Sequence, residues 1–144
     1  MSDHIYLAVY GTLRGNMSDP DPRLAILKGH AMYSAGGYPV IFHEAWVRPW
    51  ESITVEVSKV TEKQLEYIDR YEGISGDEKY DLYKRTEVTV EFPPESLAEY
   101  YGLFKYQKAY VYVGTEAFRK RKLAKIPSGD WLQHQKKQQN ITSS

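Results

Sequence analysis

The sequence has no cysteine anywhere in its 144 residues. Disulfide staples, thiolate metal ligands and a cysteine nucleophile are excluded together, and the composition fits a reducing compartment. A surplus of charge is also missing, since 19 Lys and Arg side chains balance 19 Asp and Glu. Without a net field, nucleic acid and anionic membrane are not expected as partners. No stretch approaches the roughly 20 consecutive apolar residues that span a bilayer. The opening Met1-Ser2-Asp3-His4 has no basic segment followed by an apolar one, so no export signal is read there. A cytoplasmic protein is the expectation. His4, His30, His43 and His134 are scattered without metal-ligand spacing, and no metal site is expected. Ser75, Ser128 and the other serines lack a nucleophile elbow, which argues against serine hydrolase chemistry.

What the chain does have is the length of one domain and many aromatics, including 13 tyrosines. Tyrosine joins a large apolar body to a hydroxyl that seeks a partner, which suits a β-rich core with polar pockets. Ile5 to Tyr10 is a short apolar and aromatic run that stops at Gly11 and reads as a buried first strand. Gly15 to Pro22 is dense in turn residues. Asp21-Pro22 is placed to open a short helix through Lys28, because proline is favoured at the first helical position. His30 to Phe42 has strand character broken at Gly36-Gly37, which marks a bulge or bend between two strands.

Ile53 to Val57 alternates, with Ile53, Val55 and Val57 on one face and Thr54 and Glu56 on the other. Thr61 and Gln64 make a capping-box pattern that predicts a helix to about Tyr71. Leu65, Ile68, Tyr71 and Glu72 fall on roughly one stripe of that helix, facing the core. Thr86 to Phe92 alternates again and ends at Pro93-Pro94; a helical piece over Glu95 to Leu103 then leads into a strand at Ala109 to Gly114. These elements predict an α+β domain over residues 1–132, a mostly antiparallel, strongly bent sheet or small barrel with few helices. Residues 133–144 are polar with almost no apolar content, and a loose tail is expected there.

Two features can carry chemistry. Glu72 ends the amphipathic helix and enters a loop containing Gly73, Ser75 and Gly76. The negative partial charge of a helix C-terminus, and Asp69 one turn back, both predict a raised carboxyl pKa. A glutamate tuned that way can accept a proton near neutral pH and return it. The alternative is a local structural role, pairing with Arg70 or Arg85. The second feature is Tyr10-Gly11-Thr12-Leu13-Arg14, where a strand breaks into a glycine-led loop whose backbone N–H groups can bind an anion. A simple turn is the alternative. The loop lacks the endings of a phosphate-binding P-loop and of a dinucleotide fold. The basic run Arg119-Lys120-Arg121-Lys122, with Lys125, reads as a solvated face, with a nucleic-acid contact as the lesser alternative.

Several short segments, in order, resemble the γ-glutamylcyclotransferase-like family, which includes γ-glutamylamine cyclotransferases and the AIG2-like group. They are IYLAVYGTLRGN, Gly37-Tyr38-Pro39-Val40, Ile68-Asp69-Arg70-Tyr71-Glu72-Gly73, Tyr83-Lys84-Arg85-Thr86, Tyr110-Val111-Tyr112 and Ile126-Pro127-Ser128-Gly129-Asp130-Trp131, spread over residues 5 to 132. The resemblance implies a small, strongly bent mixed β-barrel. In it, the loop after the first strand walls a pocket and the helix-end glutamate points in. It also implies cyclisation of a γ-glutamyl amine, amino acid or peptide, releasing 5-oxoproline and a free amine, with no metal or cofactor. On that pattern Glu72 is the catalytic acid and base. Tyr10, Gly11, Thr12, Leu13 and Tyr112 bind the small-molecule γ-glutamyl substrate, and Trp131 is a further candidate for the pocket wall. A non-catalytic small-molecule or protein-binding module of the same fold is the alternative, and no oligomeric state is assigned. The chain departs from the pattern after Arg14, where RGNMSDPDP has no nearby histidine, and in the longer segment GISGDEKYDLY. Both departures bear on pocket shape and substrate choice.

Overall fold

The computed structural model describes residues 5–44, 51–77, 79–94 and 105–142. The chain forms β1 (Ile5–Val9), β2 (Arg23–Lys28), β3 (His30–Ser34), β4 (Pro39–His43) and β5 (Ser52–Val60) before its first helix. That helix, α1 (Glu62–Tyr71), is followed by β6 (Tyr83–Glu91), β7 (Tyr106–Gly114), α2 (Glu116–Arg119), β8 (Ala124–Lys125) and α3 (Trp131–Thr142).

A closed mixed barrel runs in the order β1-β5-β2-β6-β7, and a smaller sheet has the order β4-β3-β8. Antiparallel ladders build the barrel wall, and a parallel contact between Leu7 of β1 and Tyr110 of β7 closes it. The alternation in β5 sends Ile53, Val55 and Val57 inward, where they join Ala25, Leu27, Val90 and Val111. Each fully buried aliphatic side chain there contributes about 1.5–3 kcal/mol. Strand β1 is apolar on both faces because both are covered. Ala8 and Tyr10 face the barrel core, whereas Leu7 and Val9 pack against Leu65 and Ile68 of α1.

The break at Gly36-Gly37 is the turn between β3 and β4, closed by an Ala35 N–H to Tyr38 carbonyl bond of 2.9 Å. Gly129 is required for a different reason. With φ at +64°, a Cβ there would collide with the Ser52 carbonyl, and the Gly129 carbonyl accepts the Thr54 N–H at 2.8 Å. The segment before α3 is thus pinned to β5.

The structure differs from expectation in three places. Residues expected as a helix from Asp21 to Lys28 instead form β2, which pairs with β5 from Arg23 opposite Val57 to Lys28 opposite Ser52. Ala25 and Leu27 are buried and Leu24 is half exposed, so the segment obeys a period of two, and Pro22 leads into a strand rather than a helix. Residues 133–142, expected to be loose, lie in α3, which is anchored by Trp131 in the barrel core. Tyr71 is 64% exposed, because successive helical residues point about 100° apart and the core-facing stripe passes through Glu72 instead. The helix expected over 95–103 lies outside the described residues. The basic run is tied to neighbouring structure: Arg119 stacks on Phe42 at 4.1 Å and Lys125 pairs with Glu51 at 3.3 Å.

Candidate active site

Local sequence sets where α1 stops and therefore where Glu72 sits. Thr61 caps the N-terminus, accepting the Gln64 N–H at 3.1 Å while Gln64 accepts the Thr61 N–H at 2.8 Å. At the other end Gly73 takes φ +75°. Its N–H bonds to the Arg70 carbonyl at 3.1 Å and the Ile74 N–H to the Asp69 carbonyl at 2.9 Å, a Schellman closure that only glycine enters without strain. Ile74 then packs into the Leu65–Ile68 cluster. Asp81 holds the rest of the loop by accepting the Ser75 hydroxyl at 2.6 Å and the Ser75 N–H at 2.8 Å. Glu72 is left as the C-cap, half-buried.

It faces a cavity of about 360 Å³ lined by the end of β1, the loop Tyr10–Leu13, Tyr38 and Pro39, the end of α1, and Leu82, Tyr83 and Tyr112. Of the residues nominated from sequence, Tyr10, Gly11, Thr12, Leu13, Glu72 and Tyr112 line this one cavity. Trp131 does not; it is buried in the barrel core. Sequence reasoning missed the contributions of Pro39, Leu82 and Tyr83, although the Tyr38-Pro39 and Tyr83 segments were already conspicuous as matches to the family pattern.

The glycine-led loop is a short turn. Arg14 N–H bonds to the Gly11 carbonyl and Asn16 N–H to the Leu13 carbonyl, each at 3.0 Å. The N–H groups of Gly11, Thr12 and Leu13 are left without a partner among the described residues. Two outside contacts fix the turn: buried Arg14 pairs with Asp130 at 2.9 Å, and the Gly15 N–H reaches the Glu56 carboxylate at 2.9 Å.

Burial pushes the Glu72 carboxyl from its ordinary 4.5 up to about 7. The rise was anticipated, but its cause was not: desolvation dominates, rather than the helix end or Asp69. The surroundings explain why nothing offsets that desolvation. Tyr10 donates its hydroxyl to the Tyr112 carbonyl at 2.6 Å, and Tyr83 donates to the Pro39 carbonyl at 3.1 Å. Tyr112 donates to Asp69 at 2.6 Å. The hydroxyl protons of these tyrosines all point elsewhere, and none stabilises the Glu72 anion. Arg85, one of the partners considered for Glu72, pairs with Asp69 at 3.0 Å instead. Burial likewise raises the Tyr10, Tyr83 and Tyr112 phenols, reinforced at Tyr10 by Tyr83, at Tyr83 by Glu72 and at Tyr112 by the hydrogen bond to Asp69. They therefore remain protonated hydrogen-bonding groups at neutral pH. Among the described residues, no group of three or more His, Asp or Glu side chains converges to hold a metal ion.

A family model described as "Gamma-glutamyl cyclotransferase, AIG2-like" matches residues 7–133. The chain belongs to that family. Solved structures share the fold. An uncharacterized protein of Pyrococcus horikoshii is 19% identical with a TM-score of 0.60, over 94% of this chain and 97% of that one. An AIG2-like protein of Mus musculus is 15% identical with a TM-score of 0.56, over 84% and 86%. A yeast γ-glutamyl cyclotransferase specific to glutathione is 16% identical with a TM-score of 0.55, over 90% and 82%. No curated protein matches the sequence. Family membership supports a γ-glutamyl cyclotransferase-type function. No described helix is long and apolar enough to cross a membrane.

Proposed function

We propose that this chain is a γ-glutamyl cyclotransferase that releases 5-oxoproline and a free amine, with Glu72 as its general acid and base. The observation that carries the reading is the Glu72 carboxyl, raised to about 7 by desolvation, in the same cavity as the loop Gly11–Leu13. A cavity of about 360 Å³ suits a small molecule.

The chemistry follows from proton bookkeeping. A free α-amine titrates near pH 8 and is mostly an unreactive ammonium at neutrality. Glu72 removes one proton, and the amine nitrogen attacks the γ-carbonyl carbon of the same glutamyl group. The new C–N bond closes a five-membered ring, and the carbonyl oxygen becomes an oxyanion that backbone N–H groups of the loop stabilise. That first proton passes to solvent; the surplus proton on the ring nitrogen then reaches the departing nitrogen through Glu72, the old amide C–N bond breaks, and 5-oxoproline leaves with a free amine. Attack is intramolecular, so the site mainly selects the folded-back conformer and moves protons.

The test is 5-oxoproline release from a panel of γ-glutamyl amines, amino acids and peptides by the parent and by folded Glu72→Gln. Turnover by the parent with a loss of about 100-fold in the variant supports the reading, that being the scale of a lost general base. Equal activity removes Glu72 from its role. A ligand that stabilises the protein without product points instead to a binding module.

A further inference from the structure

Of the tyrosines that line the cavity with Glu72, two are fixed by backbone carbonyls that substitution elsewhere does not alter: Tyr10 donates to Tyr112 O and Tyr83 to Pro39 O. A third depends on a side chain. The Tyr112 hydroxyl donates at 2.6 Å to one Asp69 oxygen, Oδ1, while Arg85 holds the other, Oδ2, at 3.0 Å. Arg85 itself lies 4.9 Å from the Tyr110 ring centroid, which braces the guanidinium against β7. Asp69 stands one helical turn before Glu72 and does not line the cavity, whereas Tyr112 does. The groups that face Glu72 are Tyr10 just after β1, Tyr83 of β6 and Tyr112 of β7, with Tyr38 beyond Tyr83 and Tyr71 beside it on α1. The charges behind them are Asp69 and Arg85.

We propose that Asp69 is a positioning residue: clamped by Arg85, it captures the Tyr112 hydroxyl proton, so that Tyr112 cannot donate to Glu72 and offers the cavity only its oxygen lone pairs. This rests on the cyclotransferase reading and sharpens it. A hydroxyl has one proton. If that proton turned to Glu72, the carboxylate would gain a charge-assisted hydrogen bond and become a weaker base. Held by Asp69, the phenol instead presents an acceptor suited to a substrate ammonium. Asp69→Asn inverts the arrangement. Arg85 has only donors and takes the single amide oxygen, which turns the amide NH₂ toward Tyr112 and releases the Tyr112 proton to the cavity.

The experiment follows the Glu72 carboxyl carbon by NMR titration in the parent, Asp69→Asn, Tyr112→Phe and the double variant. The Glu72 midpoint, about 7 in the parent, is expected to fall by about one pH unit in Asp69→Asn, the size of a hydrogen bond to the charged form. In the Tyr112→Phe background the same substitution should move it less than half as far. Asp69→Glu, which keeps an acceptor for the phenol, should restore the parental midpoint. An unmoved midpoint in Asp69→Asn overturns the proposal. So does an equal fall in both backgrounds, which would assign the effect to charge alone.

Steady-state kinetics separates this claim from the enzyme reading. With turnover, kcat/KM of Asp69→Asn falls about tenfold, the weight of one charge-assisted hydrogen bond, and its acidic limb follows the titration. Coupled titration in a protein that releases no 5-oxoproline sinks the enzyme reading and leaves the positioning role standing. Lost activity with an unmoved midpoint does the reverse.

Discussion

Glu44 and Glu72 are carboxylates set among apolar side chains in different regions of the molecule, and their neighbours treat them oppositely. Glu44, immediately after β4, is 3% exposed. Its Oε1 accepts the Tyr33 hydroxyl at 2.9 Å and pairs with Arg119 at 3.5 Å. Glu72, at the end of α1, shares its cavity with Tyr10, Tyr83 and Tyr112, whose hydroxyls are donated to other acceptors. In the small sheet a phenol and a guanidinium turn toward the acid, and in the barrel cavity the phenols turn away. Desolvation raises a buried carboxyl where donors and cations do not offset it; at Glu44 one oxygen has both, although Oε2 has no partner among the described residues.

The contrast can be broken at either end. The largest expected effect is on turnover. Glu72→Gln should lose about 100-fold in 5-oxoproline release, whereas Glu44→Gln should stay within about twofold of the parent. Next comes the partner of Glu44. Arg119→Ala removes the cation from a buried carboxylate and should cost about 2 kcal/mol in urea unfolding, with kcat unchanged. That figure sits below the value for a fully buried pair because Arg119 is 32% accessible.

A smaller effect separates Glu72 from an ordinary structural acid. Its folded pKa lies above the unfolded one, so the native state loses stability as pH rises from about 4.5 to about 7. Glu72→Gln is free of that loss. It should be more stable than the parent at pH 8 by on the order of 1 kcal/mol, discounted for partial solvent access, and equal to it near pH 4. Thermal melts at the two pH values check this, and a variant destabilised at pH 8 would contradict it. Comparable in size is Tyr33→Phe, which removes one donor from Glu44 and should cost about 1 kcal/mol by denaturant titration.

Much of this was legible where the signal is local. The alternation of β5, the capping box at Thr61 and Gln64, and the Gly36-Gly37 break between β3 and β4 all appear where they were read. The short segment after Pro22 was not legible, because RLAILK suits a helix turn or a strand equally and its pairing with β5 decides. Helix α3 was hidden by its polar composition. What orders its start is one anchor, Trp131, together with Asp130, which accepts the Gln133 N–H at 3.2 Å and the His134 N–H at 3.0 Å.

The site divides the same way. Glu72 and the loop Tyr10–Leu13 could be nominated from their positions at a helix end and a strand end. The Tyr112–Asp69 bond joins residues 43 positions apart on different elements, and no spacing rule reaches it. The raised Glu72 carboxyl was expected for a helix-end reason, yet its cause is desolvation, which depends on the distant parts of the chain that pack around it.

The most direct test of the central claim is the pH dependence of kcat/KM for 5-oxoproline release between pH 5 and pH 9. With Glu72 as the base acting on a substrate ammonium, the rate should climb with unit slope through a midpoint of about 7 and fall again above the pKa of the substrate amine, near 8. Glu72→Gln should lose the rising limb along with most of its rate. A parent profile that is flat across this range, or a rising limb that survives in Glu72→Gln, would contradict the account.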